Sequence, residues 1–308
     1  SATMTIEELE KAIIEVKERT DAPFGVNLRA DAGDAPDRCQ LLIDYGVKVA
    51  SFALAPKPEL IAKLKEHDIV VIPSIGAPKH AKKVAGWGAD AVMIQGGEGG
   101  GHTGAVPTTL LLPTVLDAVD IPVIAAGGFF DGRGLAAALS YGAAGIGMGT
   151  RFLLTQESRV PDAVKQRYLE ADLNGTIVTA KVDGMPHRML RTPFVEQVEE
   201  TSTIKRMGPT LRRTREFKKM SGMSWPQLAK DGYQMRKAQG RTLNQMALAA
   251  NTPMMLKAGL VEGDTNAGVL ASGQVVGVID ELPTCDELIT RVVTQAAAEL
   301  RRTQSYLI

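Results

Sequence analysis

Cysteine is scarce in this chain of 308 residues, in which only Cys39 and Cys285 occur. Two cysteines are too few for a disulfide framework, and they lack the paired spacing of a zinc site. We therefore expect a reducing, cytoplasmic setting and no bound metal.

Long apolar runs and net charge are also lacking. No stretch of about 18 apolar residues occurs, so the sequence predicts no membrane span. The first twenty residues form a charged amphipathic segment, unlike the apolar core of a signal peptide. Lysine plus arginine and aspartate plus glutamate both number 35, which gives a formal net charge of zero. A neutral chain has no broad field that attracts nucleic acid, so the expected partner is a small molecule.

Aromatic residues make up only 5% of the chain, whereas glycine is abundant at 31 residues. Hydrophobic residues at 44% and charged residues at 23% are typical of a folded globular protein. Excess glycine indicates tight turns, or backbone that approaches a ligand closely.

Short apolar runs alternate with helical stretches along the first half of the chain. The runs are FGVNL (24–28), VKVASFAL (47–54), IVVIPSI (69–75), DAVMIQ (90–95), IPVIAA (121–126) and AGIGMG (144–149). Predicted helices cover 5–19, 37–45, 57–67, 78–87, 109–118 and 132–141. This rhythm is typical of consecutive βα units, and continuously apolar strands favour a parallel sheet that is buried on both faces.

The glycine clusters decide between a doubly wound open sheet and a (β/α)8 barrel. A dinucleotide-binding open sheet carries its glycines after the first strand, whereas here they follow the last three. Two late strands that end in glycine resemble the phosphate site after strands 7 and 8 of a barrel. We predict an α/β fold, a TIM barrel with a helical lid. Counting backwards makes FGVNL strand 3, so we expect two preceding βα units that this sequence does not contain.

The alternation stops after residue 155. We expect a partial barrel over 1–159, a helical lid or substrate domain over 160–264, and a segment over 265–308 that packs back on the barrel. We predict that residues 160–260 form helices and loops. The capping box of Thr284 and Glu287 predicts a final helix to about residue 304.

The densest chemical signal is the stretch from Gln95 to Gly104, QGGEGGGHTG, which directly follows a predicted strand. In a barrel this edge carries the active site. The glycines let backbone press against a planar or phosphorylated ligand, and His102 is a candidate general base or acid. The alternative is a loop whose histidine only hydrogen-bonds a neighbouring carbonyl.

Other candidates are weaker one by one. Amides at two further glycine clusters predict an anion cradle, with ordinary tight turns as the alternative. Polar side chains near strand ends typically face a ligand. His67 and His80 lie on outer helices and are expected to face solvent, whereas His187 lies near the predicted lid and is a candidate for substrate binding. The basic tract 205–220 is either a solvated helical face or a surface for a phosphate-bearing substrate.

Four segments in order, FGVN, QGGEGGGHTG, PVIAAGG and MGTRFLLTQES, resemble the FMN-dependent nitronate monooxygenase (2-nitropropane dioxygenase) family, which includes flavin-dependent enoyl reductases. The resemblance covers 24–158 and, weakly, 265–280. SFALAPK, AAGGFFDGRG and VDGMPHR are similar to an actinobacterial branch tied to steroid-ring catabolism, whose members act on bicyclic acyl-CoA thioesters.

The resemblance implies that Gln95 contacts the flavin ring, that Gly100 approaches the cofactor, and that His102 is catalytic. Backbone amides of Gly128 and of residues 147–150 would hold the FMN phosphate. Together with the strand-end candidates, the predicted cofactor residues are Asn27, Ser74, Gln95, Gly100, Gly101, Gly127, Gly128, Gly147, Met148, Gly149 and Thr150.

We therefore expect an FMN-dependent oxidoreductase of a CoA thioester in steroid degradation, with NADH or NADPH as co-substrate. Hydride would be exchanged at the carbon beta to the thioester, and His102 would move the proton at the alpha carbon. Nitronate monooxygenation is the alternative activity. A third alternative is a non-catalytic flavin-binding protein. The titratable group at His102 argues against it, because a protein that only binds flavin needs no such group there. The acyl group, the direction of the reaction and the presence of a homo-oligomer stay open.

The basic tract generates a test, because a CoA substrate carries several phosphate charges and a simple nitronate only one small charge. Exchange of Arg212 and Arg213 for serine is expected to raise the KM for an acyl-CoA several-fold and to flatten its salt dependence. Steady-state kinetics at two ionic strengths would check this. Unchanged values would indicate a solvated helix face.

Overall fold

The structure, a computed structural model, describes residues 4–182, 184–200, 252–265 and 268–306. Arg212, Arg213 and the rest of the basic tract lie outside these residues. The described residues form two compact units. The first contains the residues up to Gly96 with 105–126 and 137–147, and the second contains 97–104, 127–136 and the described residues from Met148 onward.

The first unit is built on a parallel sheet. Its strands are β1 (Gly25–Arg29), β2 (Val49–Ala53), β3 (Val70–Ile75), β4 (Val92–Gln95), β6 (Val123–Ala126) and β7 (Gly145–Gly147). The helices that alternate with them are α1 (Ile6–Arg19), α2 (Ala35–Asp44), α3 (Pro58–Lys65), α4 (Pro78–Gly86), α5 (Thr108–Leu116) and α6 (Gly132–Tyr141). The predicted strands and helices are confirmed, with boundaries that move by at most two residues.

The order of the strands identifies the architecture. Each strand of this sheet pairs in parallel with its successor, from β1 to β7, with no reversal. A doubly wound sheet reverses its order at a switch point, whereas a (β/α)8 barrel does not. The fold is therefore that of a TIM barrel, and the sheet supplies six consecutive strands of it. The expectation of two preceding βα units stays a prediction.

Alternation along β2, β3, β4 and β6 buries one face of the sheet under the helices. Leu28 and Phe52 are fully buried, and they pack in one core with Leu42 of α2 and Ile61 of α3. Helices α2, α3 and α4 all begin with proline in the first turn, where its missing N–H would have no helical partner. The connections from strand to helix lie at the carboxyl ends of the strands, and these connections are the loops that carry functional residues.

The second unit contains a small antiparallel sheet in the order β5-β9-β8. Its strands are β5 (Gly101–His102), β8 (Thr176–Thr179) and β9 (His187–Leu190). Its helices are α7 (Thr150–Leu153), α8 (Asp162–Leu169), α9 (Pro193–Glu200), α10 (Thr252–Leu260), a 3-10 turn (Gln274–Val278) and α11 (Cys285–Gln304). The prediction that 160–260 contains only helices and loops is wrong, because β8 and β9 lie within it. These strands have four residues each. β8 pairs with β9, and the pairing of β9 with β5 is too distant in sequence for local patterns to predict.

Within the described part of the chain, no helix combines the length and apolarity that a membrane crossing requires. The proposed division at residues 159 and 264 stays a prediction, because much of the middle segment lies outside the described residues.

The capping box that predicts α11 is present in the structure. Glu287 N donates to Thr284 Oγ1 at 3.2 Å, and Thr284 N donates to the Glu287 carboxylate at 2.8 Å. Both bonds satisfy amides at the start of the helix, where no helical carbonyl can reach them.

Thr284→Ala is expected to lower the free energy of unfolding by about 1 kcal/mol, because the side-chain cap is lost. Thr290→Ala is the matched control, since Thr290 lies exposed inside the same helix. Urea unfolding of both variants would test the prediction. An equal loss in the two would contradict the capping role.

Candidate functional site

In the first unit, predicted polar candidates lie on strands of the parallel sheet, Ser74 and Gln95 at its carboxyl edge and Asn27 at the centre of its strand. Asn27 of β1 pairs in register with Ser51 of β2, and Asn27 Nδ2 donates to Ser51 Oγ at 2.9 Å. Ser74 is the next-to-last residue of β3, and Gln95 is the last of β4. Ser51 was not predicted as a site residue, although it lies directly opposite Asn27 on the neighbouring strand. The edge carries amide and hydroxyl groups that can hydrogen-bond a heteroaromatic ligand.

In the second unit, residues 97–104 form what we call the glycine loop. Its strand β5 pairs antiparallel with β9, so that Gly101 lies opposite Arg188 and His102 lies opposite His187. Thr103 N also donates to Pro186 O at 3.1 Å. Gly101 has a φ of +75°, a conformation that glycine adopts readily and other residues avoid. The pairing of β5 with β9 therefore anchors the loop, although the sequence pattern predicts an unpaired loop at this place.

The strand register brings two predicted histidines together. The ring centroids of His102 and His187 are 4.8 Å apart, and the ring planes are tilted by 52°. His102 is exposed, whereas His187 is only 2% exposed. A reactant can therefore reach the His102 imidazole, while the buried His187 ring packs beside it and restricts its orientation.

The segment 272–274 contacts the glycine loop from within the same unit. A Cβ at Gly100 would lie 2.5 Å from Gly273 N, closer than side-chain carbons approach backbone, so glycine is required there. Gln274 N donates to Glu98 O at 2.9 Å, and Gly273 N donates to Thr150 Oγ1 at 2.8 Å. This short segment thus connects the glycine loop with Thr150.

Gly127, Gly128 and Gly149, three glycines of the predicted anion cradle, lie in the second unit. Gly127 and Gly128 follow β6 with φ values of +96° and +85°. Gly149 has an ordinary φ of −91°, and a Cβ there would meet no protein atom within 4 Å. Neither backbone conformation nor protein packing requires glycine at this position. Open space beside a glycine, next to amides that β-carbons do not cover, fits a phosphate-bearing ligand.

The other members of the predicted cradle are explained locally. Gly147 belongs to the first unit, where its Cβ would lie 3.3 Å from the Ala126 Cβ of the neighbouring strand. Thr150 is buried, and its hydroxyl accepts the bond from Gly273. Met148 and Gly149 lie between them in the chain. The contribution of each to cofactor binding stays a prediction.

Arg188 was missed by the sequence reasoning, although it follows His187 directly. Its Nε and Nη2 atoms both donate to Gly97 O, at 3.3 and 2.9 Å. Burial lowers the pKa of the Arg188 guanidinium, and the Glu98 carboxylate opposes that shift. Arg188 could not be recognised from the local sequence, because its partner Gly97 lies 91 residues away in the chain.

Other kinds of catalysis have little support among the described residues. They contain no cluster of three or more histidine, cysteine, aspartate or glutamate side chains that could hold a metal ion. Burial raises the pKa of the Cys39 thiol to about 11, so this cysteine is protonated at neutral pH and is a poor nucleophile.

Comparison with known proteins agrees with this geometry. Residues 1–295 match the sequence pattern of a family described as nitronate monooxygenase. The chain belongs to the nitronate monooxygenase family. Members of this family are flavin-dependent oxidoreductases, so the predicted family and class of enzyme are confirmed.

Two relatives in the nitronate monooxygenase family are very similar over nearly the whole chain. A protein of Rhodococcus jostii is 66% identical over 296 residues, which are 96% of this chain and 84% of that protein. One of Mycobacterium tuberculosis is 64% identical over 304 residues, which are 98% of this chain and 86% of that one. Both are named (3aS,4S,5R,7aS)-5-hydroxy-7a-methyl-1-oxo-octahydro-1H-indene-4-carboxyl-CoA dehydrogenase.

Solved structures support the TIM-barrel fold of this nitronate monooxygenase family member. FabK from Thermotoga maritima has a TM-score of 0.79 at 32% identity, covering 98% of this chain and 85% of that one. A nitroalkane oxidase from Streptomyces ansochromogenes has a TM-score of 0.74 at 25% identity, covering 98% and 88%.

The contact between Gly100 and segment 272–274 generates a prediction. Gly100→Ala is expected to lower the free energy of unfolding by about 1–3 kcal/mol, because the methyl group would overlap backbone that cannot move independently. Gly104→Ala is the control in the same loop, since a Cβ there would meet no atom within 4 Å. Thermal and urea unfolding would compare the two. Equal stability of the variants would contradict the close packing at Gly100.

Proposed function

We propose that this chain is an FMN-dependent dehydrogenase of a bicyclic β-hydroxyacyl-CoA in steroid-ring degradation, with a nicotinamide as the second redox partner. The observation that carries the proposal is the 66% and 64% identity to two dehydrogenases named for one hydroxy-indene-carboxyl-CoA. At that identity over almost the whole chain, a change of substrate class would need changes concentrated in the site. The glycine cradle would bind the cofactor that such a reaction needs, and the exposed His102 would transfer the proton.

The substrate name fixes the atoms that must move. Its hydroxyl is on carbon 5, next to the carbon 4 that carries the thioester, so it is a β-hydroxyacyl-CoA. Oxidation to the ketone removes a hydride from carbon 5 and a proton from the hydroxyl oxygen. We therefore assign to His102 the hydroxyl proton, in place of the alpha-carbon proton that the sequence reasoning assigned. His187 would hold the His102 ring in the orientation that reaches this oxygen.

The residues present fit FMN, because Gly127 and Gly128 have positive φ values and the space beside Gly149 is open. Amides at Gly128 and Gly149 of the second unit would hold its phosphate. Gln95 and Asn27, in the first unit, stay predicted cofactor residues. When bound, the flavin would supply an acceptor for the substrate hydride, with a nicotinamide as the second redox partner. The protein would orient the carbon and exclude competing partners, and His102 would take the proton. Arg212 and Arg213 would bind CoA phosphates, as the sequence suggests.

Nitronate monooxygenation is the second candidate, and the family match over residues 1–295 favours it. A relative from Bacillus subtilis named as a probable nitronate monooxygenase is 31% identical over 246 residues. Anaerobic spectra of the flavin-loaded protein separate the two activities. Bleaching of the flavin by a β-hydroxyacyl-CoA but not by an alkyl nitronate supports the dehydrogenase, and the reverse result would overturn it. NADH and NADPH, added separately, identify the nicotinamide.

His102→Ala is expected to lower kcat by about 10²–10⁴-fold, because the proton on the substrate hydroxyl loses its acceptor. Flavin absorbance should persist, since backbone amides are proposed to hold the cofactor. His80→Ala is the matched control, because His80 is an exposed histidine of helix α4. Turnover and flavin content would be measured for both variants. Loss of flavin with full activity after reconstitution would make His102 a structural residue.

A further inference from the structure

Arg188 makes contacts that the proposed chemistry does not yet use. Two atoms of its guanidinium, Nε and Nη2, donate to one backbone oxygen, Gly97 O. The third nitrogen, Nη1, donates to Thr176 Oγ1 at 3.0 Å in the adjacent strand β8. Both acceptors are neutral, and the arginine is partly buried. A cation withdrawn from water onto neutral hydrogen-bond acceptors costs free energy, which the Glu98 carboxylate offsets only in part, so its position calls for a compensating role.

The backbone of Arg188 also contacts the glycine loop. It pairs with Gly101 in the β5-β9 ladder, while the side chain of the same residue reaches Gly97. One residue therefore holds the loop at two points, four positions apart. Between these points the chain runs through Glu98, Gly99 and Gly100, and His102 follows immediately after.

A loop so rich in glycine requires such restraint. Glycine loses more conformational freedom on folding than any other residue, so an unrestrained loop would sample many backbone conformations. Displacement of a catalytic group by about 1 Å can reduce a rate by about 100-fold. The position of the His102 imidazole consequently depends on contacts that fix the loop before it.

We propose that Arg188 is a positioning residue, which fixes the glycine loop through Gly97 O and so holds the His102 imidazole at the reacting hydroxyl. The proposal rests on the proposed function, in which His102 accepts the proton. Arginine suits this role because its planar fork donates in fixed directions to two acceptors at once, whereas lysine presents a single flexible ammonium. Charge alone would not reproduce these contacts.

Arg188→Lys tests the geometry while it keeps the charge. We expect kcat to fall by about 10–100-fold, with KM and flavin content within twofold of the wild type, because the group displaced is the proton acceptor and not the binding site. Arg191→Lys is the matched control. Arg191 lies just beyond β9 and is exposed, and its Nε donates to Asn174 O at 3.1 Å. This variant should keep the wild-type kcat.

A second readout does not depend on turnover. The chain has four histidines, so their imidazole proton signals are few enough to follow by NMR across a pH titration. The His102 signal is assigned by its loss in His102→Ala. In Arg188→Lys the His102 signal should shift or broaden, while those of His67 and His80 stay unchanged. In Arg191→Lys all four signals should match the wild type.

A further variant keeps the test decisive if Arg188→Lys does not fold. Thr176→Val removes the hydroxyl that Arg188 Nη1 contacts, and it should shift the same His102 signal and lower kcat by a smaller factor. The proposal is overturned if Arg188→Lys and Thr176→Val behave like Arg191→Lys in both readouts. It is also overturned if kcat, flavin content and melting temperature fall together, since that pattern marks a purely structural residue.

Failure of the proposed function gives a different pattern. If His102→Ala keeps its turnover, His102 is not the proton acceptor, whatever the arginine variants do. If His102→Ala is inactive but Arg188→Lys is not, the function stands and the positioning role does not. The two conclusions are therefore tested separately.

Discussion

The antiparallel pairing of Gly101 and His102 with β9 is the contact on which the candidate site depends. A two-residue strand provides few hydrogen bonds, so it needs further support from side chains and packing. That support comes from Arg188 at Gly97 O and from the close approach of Gly100 to Gly273. Because His102 is part of the paired strand, its backbone direction is set by β9, and its ring meets His187 across the ladder.

The same unit shows how glycine serves two opposite purposes. At Gly100 a side chain has no room, because the backbone of segment 272–274 lies against it. At Gly149 a side chain has room within the protein, and the space is left open. The first glycine fits the protein to itself, whereas packing within the described residues does not account for the second. Counting glycines in the sequence cannot separate these two cases.

Much of the fold could be predicted from the sequence because its signals are local. Apolar runs such as IVVIPSI and the capping box at Thr284 depend on neighbours within a few residues, and the structure has β3 and α11 at those places. The parallel sheet followed from strands that are apolar throughout. Strands β8 and β9 were missed because each has four residues, and β9, which pairs with β8, has its second partner β5 in a distant loop. Likewise His102 was found from its glycine-rich surroundings, whereas Arg188 carries no local mark.

The sequence by itself determined the βα rhythm, the glycine clusters, the candidate histidines and the resemblance to a flavin-dependent family. These are properties of residue order, and they persist in any fold that respects the hydrophobic pattern. Only the tertiary structure decided that His187 lies against His102 and that Arg188 spans from β9 to Gly97 O. Such contacts join positions about 85 to 90 residues apart, and they form only when hydrogen bonds between strands close the intervening chain into a loop.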